Sequence, residues 1–319
     1  MTNPPRPKVS VCMMAFNNSE YIDQAVASVL AQDVNFPVQL VICEDASTDD
    51  VRDKINAYQS VGWFTFVKNF NAKNLGLIRN FALAVSLCEG EYVAILDNDD
   101  YWIDSLKLRK QVDLLGSRSD ASFCYHPVML LRGGKLRIDK QRVVPLVTDM
   151  LDLAKGNFIQ SSSVLFRASA FHGFPDAYYS STVNDYFLLM LLSQNGLIVR
   201  CDDVMSVYRI HSKSDWSSRK DQDRFILEYL ECMIGIFGEQ ADALLRARHQ
   251  EIACRRFARL IDEPGFADRM RACLRYGEST IQAELSRVIH SAALLNPDHW
   301  RRTVQWWRLR LEQKFFRKH

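Results

Sequence analysis

Apolar and polar positions alternate between two rhythms over the first hundred residues. Residues 9–16, 38–43, 63–68 and 92–96 are short, mostly apolar runs, the pattern of strands buried on both faces. The stretches between them repeat at helical spacing. Residues 19–32 bring Ile22, Ala25, Val26, Val29 and Leu30 onto one face. Residues 47–58 open with cap-forming Ser and Thr and with acids in the first turn, and 75–87 give a third helix. Strands alternating with helices of this length predict βαβ units and a mostly parallel, Rossmann-like α/β sheet flanked by helices. Ligands of such sheets bind beyond the carboxyl ends of the strands.

The rhythm changes after residue 104. Residues 105–115 read as a helix, and 121–131 and 135–144 flank Gly133-Gly134 as a hairpin. Strands are predicted at 163–167 and 204–210, with a helix at 186–194 between them. From 219 the chain reads as helix throughout, with Ile226, Leu230, Met233 and Phe237 on one face and Ala253, Phe257, Leu260 and Ile261 on another. The expected organisation is an α/β domain at 1–218, divided into halves at 8–115 and 116–218, and an all-helical extension at 219–319.

Composition narrows the function. With 319 residues, 48% apolar and 24% charged, the chain is ordinary globular protein. Its net charge of +2 hides an asymmetry: residues 301–319 hold seven Lys or Arg against Glu312, which leaves the first 300 at −4. A nucleic-acid binder would spread positive charge over its folded body, so no nucleic-acid partner is expected. The eight cysteines are widely scattered without a C-x-x-C, as in reduced cytoplasmic proteins. No signal peptide is visible, and no stretch approaches the roughly 20 apolar residues of a membrane span. The thirteen glycines form no G-x-G, no phosphate loop and no nucleophile elbow, and the seven histidines form no close pair.

Two strand ends carry the candidate chemistry. The second strand runs into CEDASTDD (43–50) and the fourth into LDNDDYW (96–102). Parallel strands bring Asp45 and the Asp97–Asp100 cluster to one edge, where the carboxylates repel one another unless a cation sits among them. Oxygen ligands of this kind suit Mg²⁺ or Mn²⁺, held together with substrate phosphates. The alternative is that the acids cap the following helices, as Asp49 and Asp50 are placed to do.

Together with VSVCMMAFNN (9–18) and NLGLIRN (74–80), in this order and spacing, the two clusters resemble glycosyltransferase family 2, densely over 8–115 and more thinly to 213. The resemblance implies a GT-A fold and inverting, metal-dependent transfer from a nucleoside-diphosphate sugar, UDP first among the donors. It implies that Ala15, Phe16 and Asn17 line the nucleoside pocket, with a core aromatic as the alternative for Phe16. Asp45 would accept from the base N–H. Glu44 stands where the family often has Asp, and its longer arm weakens a ribose contact. Arg79 would meet a phosphate, or else be a solvated helix charge, while Asn80 would brace its helix. Asp97-Asn98-Asp99 would be the D-x-D motif, with Asp99 on the metal, Asp97 on the ribose of the nucleotide sugar or on a metal-bound water, and Asn98 on the nucleotide sugar.

Further along, the resemblance makes Asp185 in VNDYFLLML (183–191) the base that deprotonates the acceptor, with Asn184 in place of the family's usual Glu; helix capping is the alternative. YRIH (208–211) resembles the family's later motif and would give His211 to the metal or diphosphate. The hydroxyls of Ser161 and Ser162 in QSSSVLFR (160–167) would face a sugar. In the tail, Trp300, Val304, Trp307, Leu311 and Phe315 fall on one face of a basic helix. That composition fits a helix lying on a membrane surface, and equally one docked on the fold. The expected acceptor is a glycan or a polyprenyl-linked glycan in bacterial surface polysaccharide synthesis, handled by a cytoplasmic protein with a peripheral membrane contact through 300–319. A catalytically silent nucleotide-sugar binder is the rival from another class, and a sugar nucleotidylyltransferase the rival within the superfold.

Overall fold

The computed structural model describes residues 6–139 and 144–262, apart from 213, 215, 217 and 218. The chain divides into two compact units between Lys220 and Asp221. In the first unit, β1 (Val9–Ala15), α1 (Ser19–Leu30), β2 (Val38–Glu44), α2 (Val51–Ala57), β3 (Phe64–Phe70), α3 (Leu77–Ser86) and β4 (Tyr92–Ile95) follow the alternating pattern of the sequence. Strands β1 to β4 are all parallel, in the order β3-β2-β1-β4.

Every residue of β2, and all of β1 but one, is buried, which is why these strands read as unbroken apolar runs. Val9, Val11 and Met13 pack with Ile22, Ala25 and Val29 of α1. Taking each such side chain from water contributes on the order of 1.5–3 kcal/mol. Gly90 sets the start of β4 against β1: a Cβ there would stand 2.5 Å from the Ser10 backbone N. Its N–H instead donates to Ser10 Oγ at 2.8 Å.

Then come β5 (Tyr101–Trp102), α4 (Lys107–Ser117), β6 (Ala121–Tyr125), β7 (Val128–Arg132), β8 (Lys135–Ile138), β9 (Val147–Thr148), α5 (Met150–Ala154), β10 (Leu165–Arg167), α6 (Asp185–Ser193), β11 (Leu197–Arg200) and β12 (Ser206–Ile210). The first sheet continues as β4-β10-β6-β11-β9, and β5-β12-β7-β8 form a second, four-stranded sheet. The fold is thus mixed α/β with a large, helix-flanked central sheet.

Several predicted elements differ from the structure, among them the strand expected at 135–144, which ends at Ile138. The expected strand 121–131 breaks at His126-Pro127, where proline has no N–H for the ladder, and the pieces join different sheets. The helix expected from 47 starts at Val51. The preceding residues bond instead to the loop after β1 and the start of α1, Thr48 N–H donating to Asn17 Oδ1 at 2.8 Å and Asp49 Oδ2 accepting from Ser19 N–H at 2.9 Å. The short β5, β9, β11 and α5 were not predicted.

In the second unit, α7 (Gln222–Met233) is capped by the Asp221 carboxylate on Arg224 N–H, and α8 (Glu239–Asp262) follows. The buried Asp223 pairs with Arg255 at 2.7 Å. No helix of the described residues is long and apolar enough to cross a membrane. The 300–319 stripe lies outside the described residues, as does Cys273; the seven other cysteines are free thiols.

Candidate active site

The carboxyl ends of β1, β2 and β4 build one edge of the site. Ala15 is buried and its carbonyl accepts from Asp45 N–H at 3.0 Å, which ties the end of β1 to the turn after β2. Phe16 is 46% exposed, so it is not the core aromatic its alternative reading required. Asn17 takes φ +51° and holds the neighbouring loop, its backbone N–H donating to Ser47 Oγ and its side-chain Oδ1 accepting from Thr48 N–H and Oγ1. Ala46 has φ +56°, a left-handed conformation in which an L side chain is strained.

Asp45 is 3% exposed and organises the segment leading into α3. Its Oδ1 accepts from Asn71 Nδ2 and Leu75 N–H, both at 2.8 Å, and its Oδ2 from Gly76 N–H at 2.9 Å. Gly76 has φ +80°, which glycine adopts without steric cost. Asn80 completes the brace, its side-chain Oδ1 accepting from Asn71 Nδ2 and its Nδ2 donating to Cys43 O. Glu44 is fully buried, its carboxylate accepting from Ser47 N–H and from Arg52. It therefore faces its own loop and not a ribose. Arg79 is exposed on α3, its guanidinium 5.4 Å from the centre of the Tyr179 ring.

The turn after β4 is the acidic centre. Asp97 Oδ2 accepts from Ser161 Oγ at 2.7 Å, so this serine meets a carboxylate. Ser162 is turned inward: it is fully buried against Ser206 Oγ at 3.2 Å, which corrects its assignment to a sugar. Asn98 is buried, its Oδ1 3.5 Å from Asn18 Nδ2, and its own Nδ2 has no hydrogen-bond partner. Asp99 Oδ2 lies 2.9 Å from His211 Nε2, and the His211 ring rests 4.8 Å from that of Tyr21. Asp100 is buried beneath them and accepts from Arg209 N–H at 2.8 Å. Burial first, then the charges of Asp99 and Asp97, push its carboxyl well above the usual carboxylate range.

Asp185 opens α6, its Oδ1 accepting from Tyr186 N–H at 2.7 Å, and Asn184 before it makes no capping bond with its side chain. The approach to this helix is fixed by the buried Tyr178, whose hydroxyl donates to Ile78 O in the first turn of α3 at 3.1 Å. Burial raises the Tyr178 hydroxyl pKa, and the nearby Cys12 and Asp185 raise it further. Hydrogen bonds thus tie Asp45 to the start of α3, and α3 to the segment that leads into α6. Asp100 N–H donates to Asp97 O at 3.1 Å, Arg209 bonds to both Asp100 and Asp99, and Asp99 meets His211, so these three acids and the histidine form one cluster.

The donor set fits a hard divalent cation. One carboxylate and one imidazole converge at 2.9 Å, with further acids alongside. Among the described residues no three His, Cys, Asp or Glu side chains gather into a group that could by itself hold a metal ion. Such an open set suits an ion that takes its remaining ligands from water and phosphate. Sequence reasoning missed Arg209, the contact of Ser161 with Asp97, and Tyr21. Polarity marks all three, but only the fold carries them to the acidic turn.

Residues 10–176 match the family model of Glycosyl transferase family 2. An uncharacterised protein of Mycobacterium tuberculosis is 32% identical over 66% of this chain and 61% of its own length, so the match leaves over a third of that relative uncovered. An Escherichia coli protein named UDP-Glc:alpha-D-GlcNAc-diphosphoundecaprenol beta-1,3-glucosyltransferase WfgD is 29% identical over 66% of this chain and 80% of its own. The fold is shared with S. aureus TarS, at a TM-score of 0.60 and 16% identity over 89% of this chain and 79% of that one. It is shared too with a Pyrobaculum calidifontis mannosyltransferase solved with GDP-Man and Mn²⁺, at a TM-score of 0.56 and 16% identity over 98% and 88%. With more than half its length matched by the family model, and with the sheet and acidic strand ends described above, the chain belongs to glycosyltransferase family 2.

Proposed function

We propose that the protein is an inverting, metal-dependent glycosyltransferase that moves a sugar from a nucleoside-diphosphate sugar, UDP first among them, to a hydroxyl of a glycan or lipid-linked glycan. The observation that carries this reading is the pairing of Asp99 with His211 beside Asp97 at the strand ends. Relatives named for sugar transfer to a diphosphoundecaprenol-linked acceptor and for teichuronic acid biosynthesis support the acceptor class and a place in bacterial surface polysaccharide synthesis.

Asp99 and His211 would hold Mn²⁺ or Mg²⁺, which when bound neutralises charge on the leaving diphosphate. The remaining steps belong to the chain itself. Phe16 offers an exposed ring to the base, with Ala15 and Asn17 setting the loop around it. Asp45 Oδ2 accepts a single N–H, that of Gly76, and a carboxylate oxygen has room for a second, from the base. Arg79 supplies a positive charge at the rim, and Asp97 and Asn98 supply polar groups for the donor's sugars. The unpartnered Asn98 Nδ2 is a donor waiting for an acceptor oxygen. Asp185 takes the proton from the acceptor hydroxyl as that oxygen attacks the anomeric carbon.

A thermal-shift panel of nucleotide sugars with and without Mn²⁺, followed by a nucleoside-diphosphate release assay, tests the reading. Specific binding raises the midpoint by mass action. Binding with no release would instead support the silent binder. The basic stripe at 300–319 is proposed to rest on anionic lipid. Deleting 300–319 should abolish co-sedimentation with anionic vesicles while leaving nucleotide binding intact, and full-length protein that ignores such vesicles at low salt would refute it.

A further inference from the structure

Arg209 lies in β12, two residues before His211, and bonds with three separate groups, two to the acidic turn and one to α1. Its backbone N–H donates to Asp100 Oδ1 at 2.8 Å. Its Nε donates to the Asp99 carbonyl at 2.8 Å, and its Nη2 to Gln24 Oε1 on α1 at 2.6 Å. The guanidinium is clamped between aromatic rings, 4.5 Å from the centre of Tyr21 and 5.3 Å from that of Tyr101. Tyr21 in turn packs against the His211 ring.

The side chain therefore touches the peptide of one proposed metal ligand and shares a ring neighbour with the other. Its planar fork fixes direction as well as distance, which a lysine ammonium cannot do. From this geometry we infer that Arg209 is a positioning residue that holds Asp99 and His211 in register for a divalent cation. The inference rests on the proposal that these two residues bind the cation. Groups that orient metal ligands in this way typically change metal affinity by about 10–100-fold when removed.

The test is titration of the intact protein with Mn²⁺ alone, read by the electron paramagnetic resonance signal of the free ion. Arg209→Lys keeps the charge but loses the fork, and it should raise the Mn²⁺ dissociation constant by roughly tenfold. Gln24→Ala removes only the acceptor of Nη2, on an exposed helix position that leaves folding intact. It should raise the constant by about two- to threefold, as expected for one hydrogen bond of modest net worth. Thermal melting separates loss of the site from loss of the fold, and if Arg209→Lys does not fold, Gln24→Ala decides. Variants that bind Mn²⁺ as the wild type does would overturn the role of Arg209 and leave the metal proposal standing. A wild-type protein that binds no Mn²⁺ would overturn both.

Discussion

Asp99 and His211 stand 2.9 Å apart although 112 residues separate them in the chain. Asp99 hangs from the turn after β4 in the large sheet, and His211 follows β12 in the small one. Replacing Asp99 with Ala should abolish sugar transfer, and EDTA should silence the intact enzyme equally. Nucleoside-diphosphate release measures both. Full activity in EDTA would reduce the acidic turn to a structural element.

Asp185→Asn keeps the size of the side chain and its acceptor for Tyr186 N–H, but removes its basicity. Its kcat should fall by roughly 10²–10⁴, the usual contribution of a general base, with little change in donor affinity. A kcat within a few-fold of wild type would move the base elsewhere.

Lys107 is fully buried in α4, its Nζ donating to Gln111 Oε1 at 2.6 Å and lying 4.2 Å from the centre of the Trp102 ring. Burial pulls its pKa from 10.5 down to about 7. The unfolded chain then holds this proton more tightly than the folded one, so stability rises with pH between about 7 and 10.5 and is lowest below that window. Lys107→Met should stabilise the protein at pH 7 by on the order of 2 kcal/mol, after allowing for the Gln111 oxygen left unpaired. The gain should shrink by pH 9.5. Denaturant unfolding at the two pH values measures it, and a gain that ignores pH would mean that Lys107 does not titrate in this window.

Ala46, between Asp45 and Ser47, holds φ +56°. Ala46→Gly removes a steric cost of about 1–2 kcal/mol and adds chain entropy worth about 0.5–1 kcal/mol to the unfolded state. The midpoint of thermal unfolding should rise by roughly 1–3 °C. A fall would show that the turn is not held in the left-handed region.

The parallel half of the fold was legible because burial on both faces writes itself as unbroken apolar runs, and the acidic strand ends were legible because parallel strands share an edge. The seam between the sheets was not. β5 is two residues long and β12 only five, too short to carry a pattern, and Pro127 divides what reads as one strand. For the same reason Arg209 reads in the sequence only as one position of YRIH. Nothing local to residues 206–210 shows that it bonds to Asp99 and Asp100. Asp45 was legible as a carboxylate at the right edge, but the three donors it gathers from residues 71–76 are a product of the folded loop.

The small sheet also orders the assembly of the molecule in time. Its strands come from residues 101–102, 128–132, 135–138 and 206–210, so it cannot close until the last of these has joined. Closing so long a loop costs entropy before its contacts give anything back, which makes such pairings late steps in folding. A chain still emerging from the ribosome could complete β1 to β4, and with them the turn at Asp45, well before His211 exists. On the proposed roles, the turn for the base would form first, and the pair for the metal only after residue 211 had been made.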